Sequence, residues 1–486
     1  METLLAKAGY ETELGEYVKR ERAAVDLMNT VGSLMYDKGV ELVIYRNHLV
    51  NVSISEILNL IEYSKSVVNK PIDMYVTAEL AKALLSVDLA PSKIDIGVLS
   101  YEYAKEKANF ATINDFINNK LNKFIGSDKH TFEPKDVILY GFGRIGRLVV
   151  RELVTQAGKG QQLRLRAIVL RKVTESELIK RADLLRNDSV HGAFKGSVMV
   201  DAVNSAIIVN GQIIRFIEAA NPNGNDYTQY GIDNALLIDS TGVFETAEKL
   251  ALHLESKGVS KVLLTAPGKG IPNVVYGINH KTLDLENDNI FSAASCTTNA
   301  ISPILKVIED NIGIERGHIE TVHAYTNDQN LLDNFHKKPR RGRSAAVNMV
   351  ITSTGAGNAV TKVIPSLAGK LTANAVRVPT PNGSLAIMNL TLKSTTSVEA
   401  VNAMVKKAAL EGELVNQINY QISEELVSTD IIGNTCASVY DSNATIASGD
   451  GKNVTLYSWY DNEFGYTKQV IRLAKHIAKV RRLIYY

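Results

Sequence analysis

The stretch Asp136–Gly146 decides the fold of most of this chain, and it reads Asp-Val-Ile-Leu-Tyr-Gly-Phe-Gly-Arg-Ile-Gly. Its first five residues form a short strand pattern, and apolar residues recur at helical spacing after Gly146. A Gly-x-Gly-x-x-Gly sequence between a strand and a helix is typical of a dinucleotide-binding turn. The first glycine makes the turn, the second admits a pyrophosphate, and the third lets helix and strand pack closely. We therefore predict an α/β Rossmann domain over residues 135–296.

The second strand pattern of this domain ends differently from a typical NAD-binding fold. An acid at this point hydrogen-bonds the adenosine ribose and repels the 2′-phosphate of NADP. This chain has Leu170, followed by Arg171 and Lys172. The substitution removes one repulsive charge and adds two attractive ones, so we expect NADP to be accepted beside NAD. The alternative is that both cations are ordinary solvated loop residues.

A second landmark is the run Ser295–Asn299, which reads Ser-Cys-Thr-Thr-Asn. It follows a strand pattern and precedes apolar residues at helical spacing, so Cys296 is expected at a strand-to-helix turn. Amides at a helix N-terminus favour a negative charge, so a thiol there ionises more easily, as a nucleophile requires. An isolated cysteine is more often a small buried hydrophobic residue, and we interpret Cys436 in that way.

A candidate base for this nucleophile is His323, which lies in the strand pattern 320–326, 27 positions (323 − 296) after Cys296. Imidazole titrates near neutral pH and is the side chain used most often to take a proton from a nucleophile. Taken alone, a histidine in a strand more often has no catalytic role, so these residues by themselves leave the pairing of His323 with Cys296 open.

The bulk composition is that of an ordinary globular protein. The 486 residues are 45% hydrophobic and 22% charged, with a formal net charge of +2. This charge predicts no specific nucleic-acid partner, and no run of 18 apolar residues predicts a membrane span. Two cysteines form no disulfide framework, and the first residues lack a signal-peptide pattern, so a cytoplasmic location is expected. We expect no metal site.

Residues 1–134 have a different character from the rest of the chain. Their apolar spacing predicts a mainly helical extension, with one short strand at 40–45 and a capping box at Ser53–Glu56. The polar stretch 126–134 is interpreted as a linker. The extension carries no catalytic constellation, so a docking or oligomerisation element is favoured over a second enzyme. We also expect it to be separable from the catalytic part.

The motifs of residues 136–480 resemble those of phosphorylating glyceraldehyde-3-phosphate dehydrogenases. The resemblance is carried by Ser295–Asn299, Ser240–Phe244, Gly277–His280 and Ser458–Tyr466. It implies an α+β catalytic domain with a mixed sheet over 297–465. It also implies a final helix, over 466–486, that returns to the Rossmann domain. The N-terminal extension lies outside the resemblance.

The resemblance also assigns site residues. The family separates its catalytic cysteine and histidine by the same 27 positions, so Cys296 and His323 are the implied catalytic pair. Besides Cys296 and His323, the implied cofactor residues are Gly141, Gly143, Arg144, Ile145, Gly146, Leu170, Arg171, Thr241 and Asn462. The implied substrate and phosphate residues are Ser295, Thr297, Thr326, Arg343, Thr354, Gly355 and Arg377. Among these, Thr326 and Arg377 would hold the phosphate of the substrate. Inorganic phosphate would bind Thr297, Thr354 and Gly355, with Arg343 serving both phosphates.

The implied reaction is the oxidative phosphorylation of glyceraldehyde 3-phosphate to 1,3-bisphosphoglycerate. It would pass through a thioester on Cys296, with NAD or NADP as the hydride acceptor and inorganic phosphate as co-substrate. A homotetramer acting in glycolysis or gluconeogenesis is expected by the same resemblance. Two alternatives stay open, namely an erythrose-4-phosphate dehydrogenase and a non-catalytic binding protein whose working part is the N-terminal extension.

Overall fold

The protein is represented by a computed structural model that describes residues 7–126, 130–155 and 157–486. The chain forms two compact units. The first comprises the N-terminal residues as far as Pro134, together with Ala157–Gln162 and Val480–Tyr486. The second runs from Lys135 to Lys479 around that insertion. Within the described ranges, no helix has the length and apolar character needed to cross a bilayer.

The N-terminal unit is mainly helical, as predicted. Its elements before Pro134 are α1 (Lys7–Ser33), β1 (Val40–Ile44), β2 (Asn47–His48), α2 (Ile54–Ser66), α3 (Met74–Leu84), β3 (Ser92–Asp95), α4 (Ile96–Glu106) and α5 (Ile113–Lys120). The predicted capping box forms at α2, because Ser53 Oγ accepts from the Glu56 amide and Glu56 accepts from the Ser53 amide. The predicted linker at 126–134 falls partly outside the described residues.

The Rossmann part of the second unit is a twisted sheet with helices on its connections. Its elements are β4 (Lys135–Tyr140), α6 (Arg144–Leu153), β5 (Leu163–Leu170), α7 (Glu175–Arg186), β6 (Val198–Asp201), β7 (Ala206–Val209), β8 (Gln212–Glu218), β9 (Ala235–Asp239), α8 (Ala247–Ala251), β10 (Val259–Leu264) and β11 (Ile290–Ser292). The strand order is β11-β10-β9-β4-β5-β8-β7-β6. The strands from β11 to β8 are parallel, and β8, β7 and β6 form an antiparallel meander. The apolar strand pattern of β4 is therefore explained by burial in the middle of a parallel sheet.

The catalytic part has the mixed sheet that was predicted. Its elements are α9 (Cys296–Asn311), β12 (Ile314–Ala324), β13 (Val350–Thr352), α10 (Ala356–Val363), β14 (Leu371–Val378), β15 (Ser384–Leu392), α11 (Val398–Leu410), β16 (Ile418–Gln421), β17 (Ser438–Asp441), β18 (Ile446–Ala447), β19 (Asn453–Tyr460) and α12 (Phe464–Ile477). The order is β13-β14-β12-β15-β19-β17-β16, and β18 pairs with β19. Helix α9 packs on this sheet and on α12, and α12 packs on α6 of the Rossmann part.

The end of the chain corrects the predicted helix over 466–486. Helix α12 ends at Ile477, and the backbone turns at Lys479, which has a φ of 57°. The last strand, β20 (Leu483–Tyr485), then pairs in parallel with β3 and completes a four-stranded sheet in the order β2-β1-β3-β20. The N-terminal unit therefore takes one strand from the opposite end of the chain, and spacing within the sequence gives no sign of this.

A buried ionic cluster fixes this C-terminal strand within the N-terminal unit. Arg482, whose side chain is 5% exposed, lies 3.5 Å from the Glu41 carboxylate and donates to the Gly160 carbonyl at 2.9 Å. Burial alone would raise the pKa of the Glu41 carboxyl, but Lys93, His48 and Arg482 together hold that pKa well below its usual range. The charge on Glu41 is therefore kept, and it depends on its cationic neighbours.

We expect Arg482→Ala to destabilise the N-terminal unit by about 3 kcal/mol, because it leaves a buried carboxylate with fewer counter-charges. Amide hydrogen exchange is expected to quicken by about a hundredfold in β1 and β3 and to stay unchanged in β12. Lys65→Ala is the control, since that side chain pairs with Glu62 at the surface and such pairs contribute little. Equal exchange in the two variants would contradict the expectation.

Candidate active site

The glycine-rich turn has the shape that a dinucleotide requires. Gly141 has a φ of 98°, and a Cβ there would lie 3.0 Å from Thr241 Cγ2. A Cβ on Gly146 would lie 2.8 Å from Ser240 Oγ, so this glycine lets α6 approach the sheet. Gly143 precedes α6, and a Cβ there would meet nothing within 4 Å. The open space therefore lies where amides of Arg144 and Ile145 at the helix N-terminus can face a pyrophosphate.

A cavity of about 520 Å³ opens beside this turn. Its lining includes Gly141, Leu170, Arg171, Lys172, Glu177, Arg181 and Thr241. Two polar atoms of the lining, Glu177 Oε2 and Arg181 Nε, are buried without a hydrogen-bond partner among the described residues. A buried unsatisfied polar atom is costly, so the cavity is suited to a ligand that supplies both a donor and an acceptor.

The Arg144 side chain is committed to two carboxylates. It donates to both oxygens of Asp188 at 3.2 Å, and it also bonds to Glu463. Glu463 is also 3.1 Å from His191. The hydrogen bond between Arg144 and Glu463 is the main reason why the pKa of Arg144 is raised. The guanidinium therefore joins the glycine-rich turn to the segment that carries Asn462. That position leaves the backbone of Arg144, rather than its side chain, as the group available to a cofactor.

Asn462 is held at the end of β19. It is 6% exposed, and its side-chain oxygen accepts from Ser384 Oγ at 2.8 Å. The preceding Asp461 accepts from the amides of Glu463 and Phe464 at 2.9 and 2.7 Å. Because its oxygen is already bonded, the amide group of Asn462 has a fixed orientation, as a residue that positions a planar ligand requires.

The turn that carries Cys296 is constrained from several sides. Ala294 has a φ of 55°, a left-handed conformation that costs a non-glycine residue about 1 kcal/mol or more. Its carbonyl accepts from Tyr466 Oη at 2.8 Å, and Asn299 Nδ2 donates to the Ala293 carbonyl at 2.8 Å. Ser295 caps α9, because its Oγ accepts from the Thr298 amide at 3.0 Å. These bonds place Cys296 at the first position of the helix.

Cys296 and His323 meet as the sequence predicts. The distance from Cys296 Sγ to His323 Nε2 is 3.7 Å. His323 Nδ1 is 2.7 Å from the Ala324 carbonyl. Because a carbonyl can only accept, Nδ1 carries the hydrogen, and neutral Nε2 is left as an acceptor facing the thiol. The backbone thus selects the imidazole tautomer that can take a proton from Cys296.

The electrostatics of the pair favour two neutral groups. Burial, together with the nearby charges of Arg377 and Arg341, lowers the pKa of His323 to about 3. Burial raises the pKa of the Cys296 thiol, and the positive charge of Arg377 only partly opposes this effect. The expectation that the helix N-terminus makes the thiol more acidic is therefore outweighed by burial. Both pKa shifts therefore favour a neutral thiol beside a neutral imidazole over an ion pair.

This state has a measurable pH dependence. His323 is neutral at every pH well above 3, so we expect no step near 6.5 in the alkylation of Cys296 by iodoacetamide. The rate is expected to rise continuously with pH through the thiol's ordinary value of 9.0, because only the thiolate reacts. Peptide mass spectrometry separates Cys296 from the buried Cys436, the internal control. A plateau between pH 5 and 8 would instead show an ion pair.

Two predicted phosphate residues lie together beside this pair. Arg377 Nη1 donates to Thr326 Oγ1 at 3.2 Å and to the Ala324 carbonyl at 3.0 Å. Arg377 Nε is buried without a partner among the described residues. Since Arg377 pairs with His323 in the sheet register, an oxyanion bound to Arg377 and Thr326 would lie close to the reacting sulfur.

The other predicted phosphate residues occupy two places. Thr297 Oγ1 is 3.0 Å from Tyr460 Oη and is buried beneath the site. Thr354 and Gly355 come directly before α10, where the Thr354 hydroxyl accepts from the Ala356 amide at 3.2 Å. A free amide end of this kind suits an anion, but no described contact links it to Cys296.

The two arginines of the long loop differ in position: the predicted Arg343 lies at the surface, whereas Arg341 is buried near His323. Arg343 pairs with Asp333 at 2.8 Å, and its side chain is 65% exposed. Arg341 is 9% exposed, bonds to Asp328, and donates from Nε to Thr352 Oγ1 at 3.0 Å. Its charge acts on both His323 and Arg377. The structure therefore brings Arg341, and not Arg343, into the electrostatic field of the site.

Sequence reasoning missed four further residues. Tyr460 packs edge-on to the His323 ring, with centroids 5.9 Å apart, and Arg341 acts as just described. Glu177 and Arg181 line the cavity from α7. Their spacing of four residues on a helix places both on one face, which is the signal that sequence reasoning could have used.

A Rossmann fold, together with a buried histidine 3.7 Å from a cysteine at the start of a helix, is the arrangement expected of a dinucleotide-dependent dehydrogenase. Two family models match the chain: the NAD-binding domain of glyceraldehyde 3-phosphate dehydrogenase at residues 135–247, and its C-terminal domain at 295–462. The chain belongs to the glyceraldehyde-3-phosphate dehydrogenase family, whose members are NAD-dependent oxidoreductases acting on an aldehyde.

Curated relatives agree with this assignment. The chain is 41% identical to a glyceraldehyde-3-phosphate dehydrogenase of Priestia megaterium, over 70% of this chain and 96% of the relative. It is also 41% identical to glyceraldehyde-3-phosphate dehydrogenase 1 of Bacillus subtilis, over 70% and 97%. A glyceraldehyde-3-phosphate dehydrogenase-like protein of Pseudomonas aeruginosa is 46% identical over 93% and 98%. This last match extends into the residues before 135, which the family models do not reach.

Proposed function

We propose that the protein catalyses the oxidative phosphorylation of glyceraldehyde 3-phosphate to 1,3-bisphosphoglycerate. The observation that carries this proposal is the 3.7 Å contact between Cys296 Sγ and His323 Nε2, with the Arg377–Thr326 pair on the adjoining strand. A nucleophile, a base and a phosphate cradle are the three groups that a phosphorylated aldehyde requires. An intact constellation of this kind argues against a non-catalytic binding protein.

Residues of this chain are proposed to supply the nucleophile, the base and the phosphate-binding groups of the reaction. His323 Nε2 takes the thiol proton as Cys296 Sγ adds to the aldehyde carbon, and it returns this proton to the oxygen of the resulting thiohemiacetal. It takes the same proton again from that hydroxyl group as the hydride leaves. NAD, when bound between the glycine-rich turn and Asn462, supplies the hydride acceptor. Inorganic phosphate attacks the resulting thioester, and Cys296 leaves as the thiolate. The amide end at Thr354 and Gly355 is proposed to deliver that phosphate.

The long loop after β12 supports a homotetramer. It carries Leu331, Leu332 and Phe335, which are 74%, 74% and 90% exposed. Apolar side chains exposed to this extent mark a contact surface. We propose that they meet a second copy of the chain, in a cytoplasmic enzyme of glycolysis or gluconeogenesis.

The second candidate substrate is erythrose 4-phosphate, which has the same aldehyde and phosphate with one more carbon between them. Steady-state kcat/KM with both aldehydes, each with and without inorganic phosphate, separates the two activities. We expect glyceraldehyde 3-phosphate to be preferred and its oxidation to depend on phosphate. A higher kcat/KM for erythrose 4-phosphate would reverse the assignment, and turnover with neither aldehyde would favour a binding protein.

For the coenzyme, we propose use of both NAD and NADP. Leu170 offers no carboxylate to the ribose, but Glu177 reaches the same cavity from α7 with one oxygen unpaired. Arg171, Lys172 and Arg181 line that cavity as well. Glu177 thus takes the role of the missing acid for NAD, while the three cations receive a 2′-phosphate.

We expect Arg181→Ala to weaken NADP binding about tenfold, the value of one charge-assisted hydrogen bond, and to leave NAD binding unchanged. Glu177→Gln is expected to weaken NAD more than NADP, and Leu170→Asp to weaken NADP. Dissociation constants from isothermal titration calorimetry report binding apart from turnover. Lys180→Ala, an exposed change on the same helix, is the control. NAD binding alone, unaffected by all three substitutions, would contradict the proposal.

A further inference from the structure

Most of the first half of α1 is exposed to solvent. Every residue from Tyr10 to Lys19 is exposed, whereas the second half of the helix buries Ala23, Ala24 and Leu27. A helical segment of this length is marginal in water without tertiary packing. The exposed half is therefore expected to have a binding partner.

This segment presents an apolar stripe to solvent. Its members are Tyr10, Leu14, Tyr17 and Val18, which are between 39% and 63% exposed. At 3.6 residues per turn, they fall within an arc of about 100° and extend for about 12 Å along the axis, and Glu21 on the same arc ends the stripe. An aromatic-rich stripe of this width matches the contact face of a paired helix, and contiguous exposed apolar surface marks an interaction site.

The charges beside the stripe indicate what covers it. On one flank lie Glu11 and, three turns later, Arg22, and on the other lie Glu13 and Arg20. Arg20 Nη2 donates to Glu13 Oε1 at 2.8 Å, which shows that these two share a flank. Each flank is therefore acidic towards the N-terminus and basic towards the middle of the helix.

We propose that this face of α1 pairs with α1 of a second copy of the chain, in antiparallel orientation. In that orientation Glu11 faces the second copy's Arg22, and Glu13 faces the second copy's Arg20, so both flanks are complementary. A parallel pair would place acid against acid. The same surface on both copies makes the contact isologous, with its two-fold axis near Tyr17.

The first test places a thiol close to the proposed axis. In a chain carrying Cys296→Ser and Cys436→Ala, Tyr17→Cys is expected to give a disulfide-linked dimer on mild oxidation, seen on a denaturing non-reducing gel. Glu16→Cys is the matched control, because Glu16 precedes Tyr17 in the sequence and its side chain is exposed on the opposite side of the helix. Equal cross-linking of the two variants, or none with Tyr17→Cys, would overturn the proposal.

The second test exchanges the charges and uses the yield of that disulfide as the readout. Glu11→Arg with Glu13→Arg is expected to lower the yield at least fivefold, and so is Arg20→Glu with Arg22→Glu. All four changes in one chain are expected to restore it, since complementarity returns with reversed sign. Mixing the two double variants is expected to give a hybrid dimer. Failure of the fourfold variant to recover would show that another partner covers the stripe. Neither test measures dehydrogenase activity, so a negative result would contradict the helix pairing and would leave the proposed function unaffected.

Discussion

Replacement of Cys296 by serine is expected to lower kcat/KM by roughly four to six orders of magnitude, as removal of a covalent nucleophile does. A hydroxyl is far less acidic than a thiol, so His323 cannot generate a comparable nucleophile from it. Binding of NAD is expected to stay nearly unchanged, because the glycine-rich turn is untouched. Steady-state rates and calorimetry on the same preparation measure the two properties.

Cys436→Ser serves as the control for this substitution. Cys436 is 8% exposed in the strand-rich region before β17, and we expect its replacement to leave kcat/KM within a factor of a few. Labelling offers an independent check on the wild-type chain. If iodoacetate inactivated the enzyme by modifying Cys436 while Cys296 stayed unmodified, the assignment of the nucleophile would be wrong.

The second large effect is expected for His323→Asn, which should lower kcat by two to four orders of magnitude, the usual contribution of a general base. Asparagine can still donate to the Ala324 carbonyl, so the strand is preserved while the acceptor facing Cys296 is lost. His318→Asn is the matched control, because His318 lies on the same strand and bonds to Thr372 and Asn374. A similar kcat for both variants would remove His323 from the mechanism.

Much of the site followed from patterns that are local in the sequence. The glycine motif lies between β4 and α6, and Cys296 begins α9, because hydrophobic periodicity and helix capping are properties of neighbouring residues. The Cys296–His323 contact was predicted from a family spacing. Its 3.7 Å separation depends on β12 crossing the sheet next to α9.

The features that were missed depend on side-chain direction or on distant partners. Arg341 and Arg343 are two residues apart in an irregular loop, and nothing in their spacing decides which one turns inward. The acidity expected for Cys296 was judged from the helix end alone, whereas the thiol's pKa is set mainly by burial. Burial is a property of the assembled fold, and it cannot be obtained from one segment.

The pairing of β20 with β3 also determines when the four-stranded sheet can be completed during synthesis. Strands β1, β2 and β3 are made early in synthesis, yet their sheet lacks its fourth strand until Leu483–Tyr485 has been synthesised. Until then β3 has an open edge that can pair with another chain. Contacts that join the two ends of a polypeptide are slow to form. A product truncated before Leu483 is therefore expected to be aggregation-prone even though Cys296 and His323 are present.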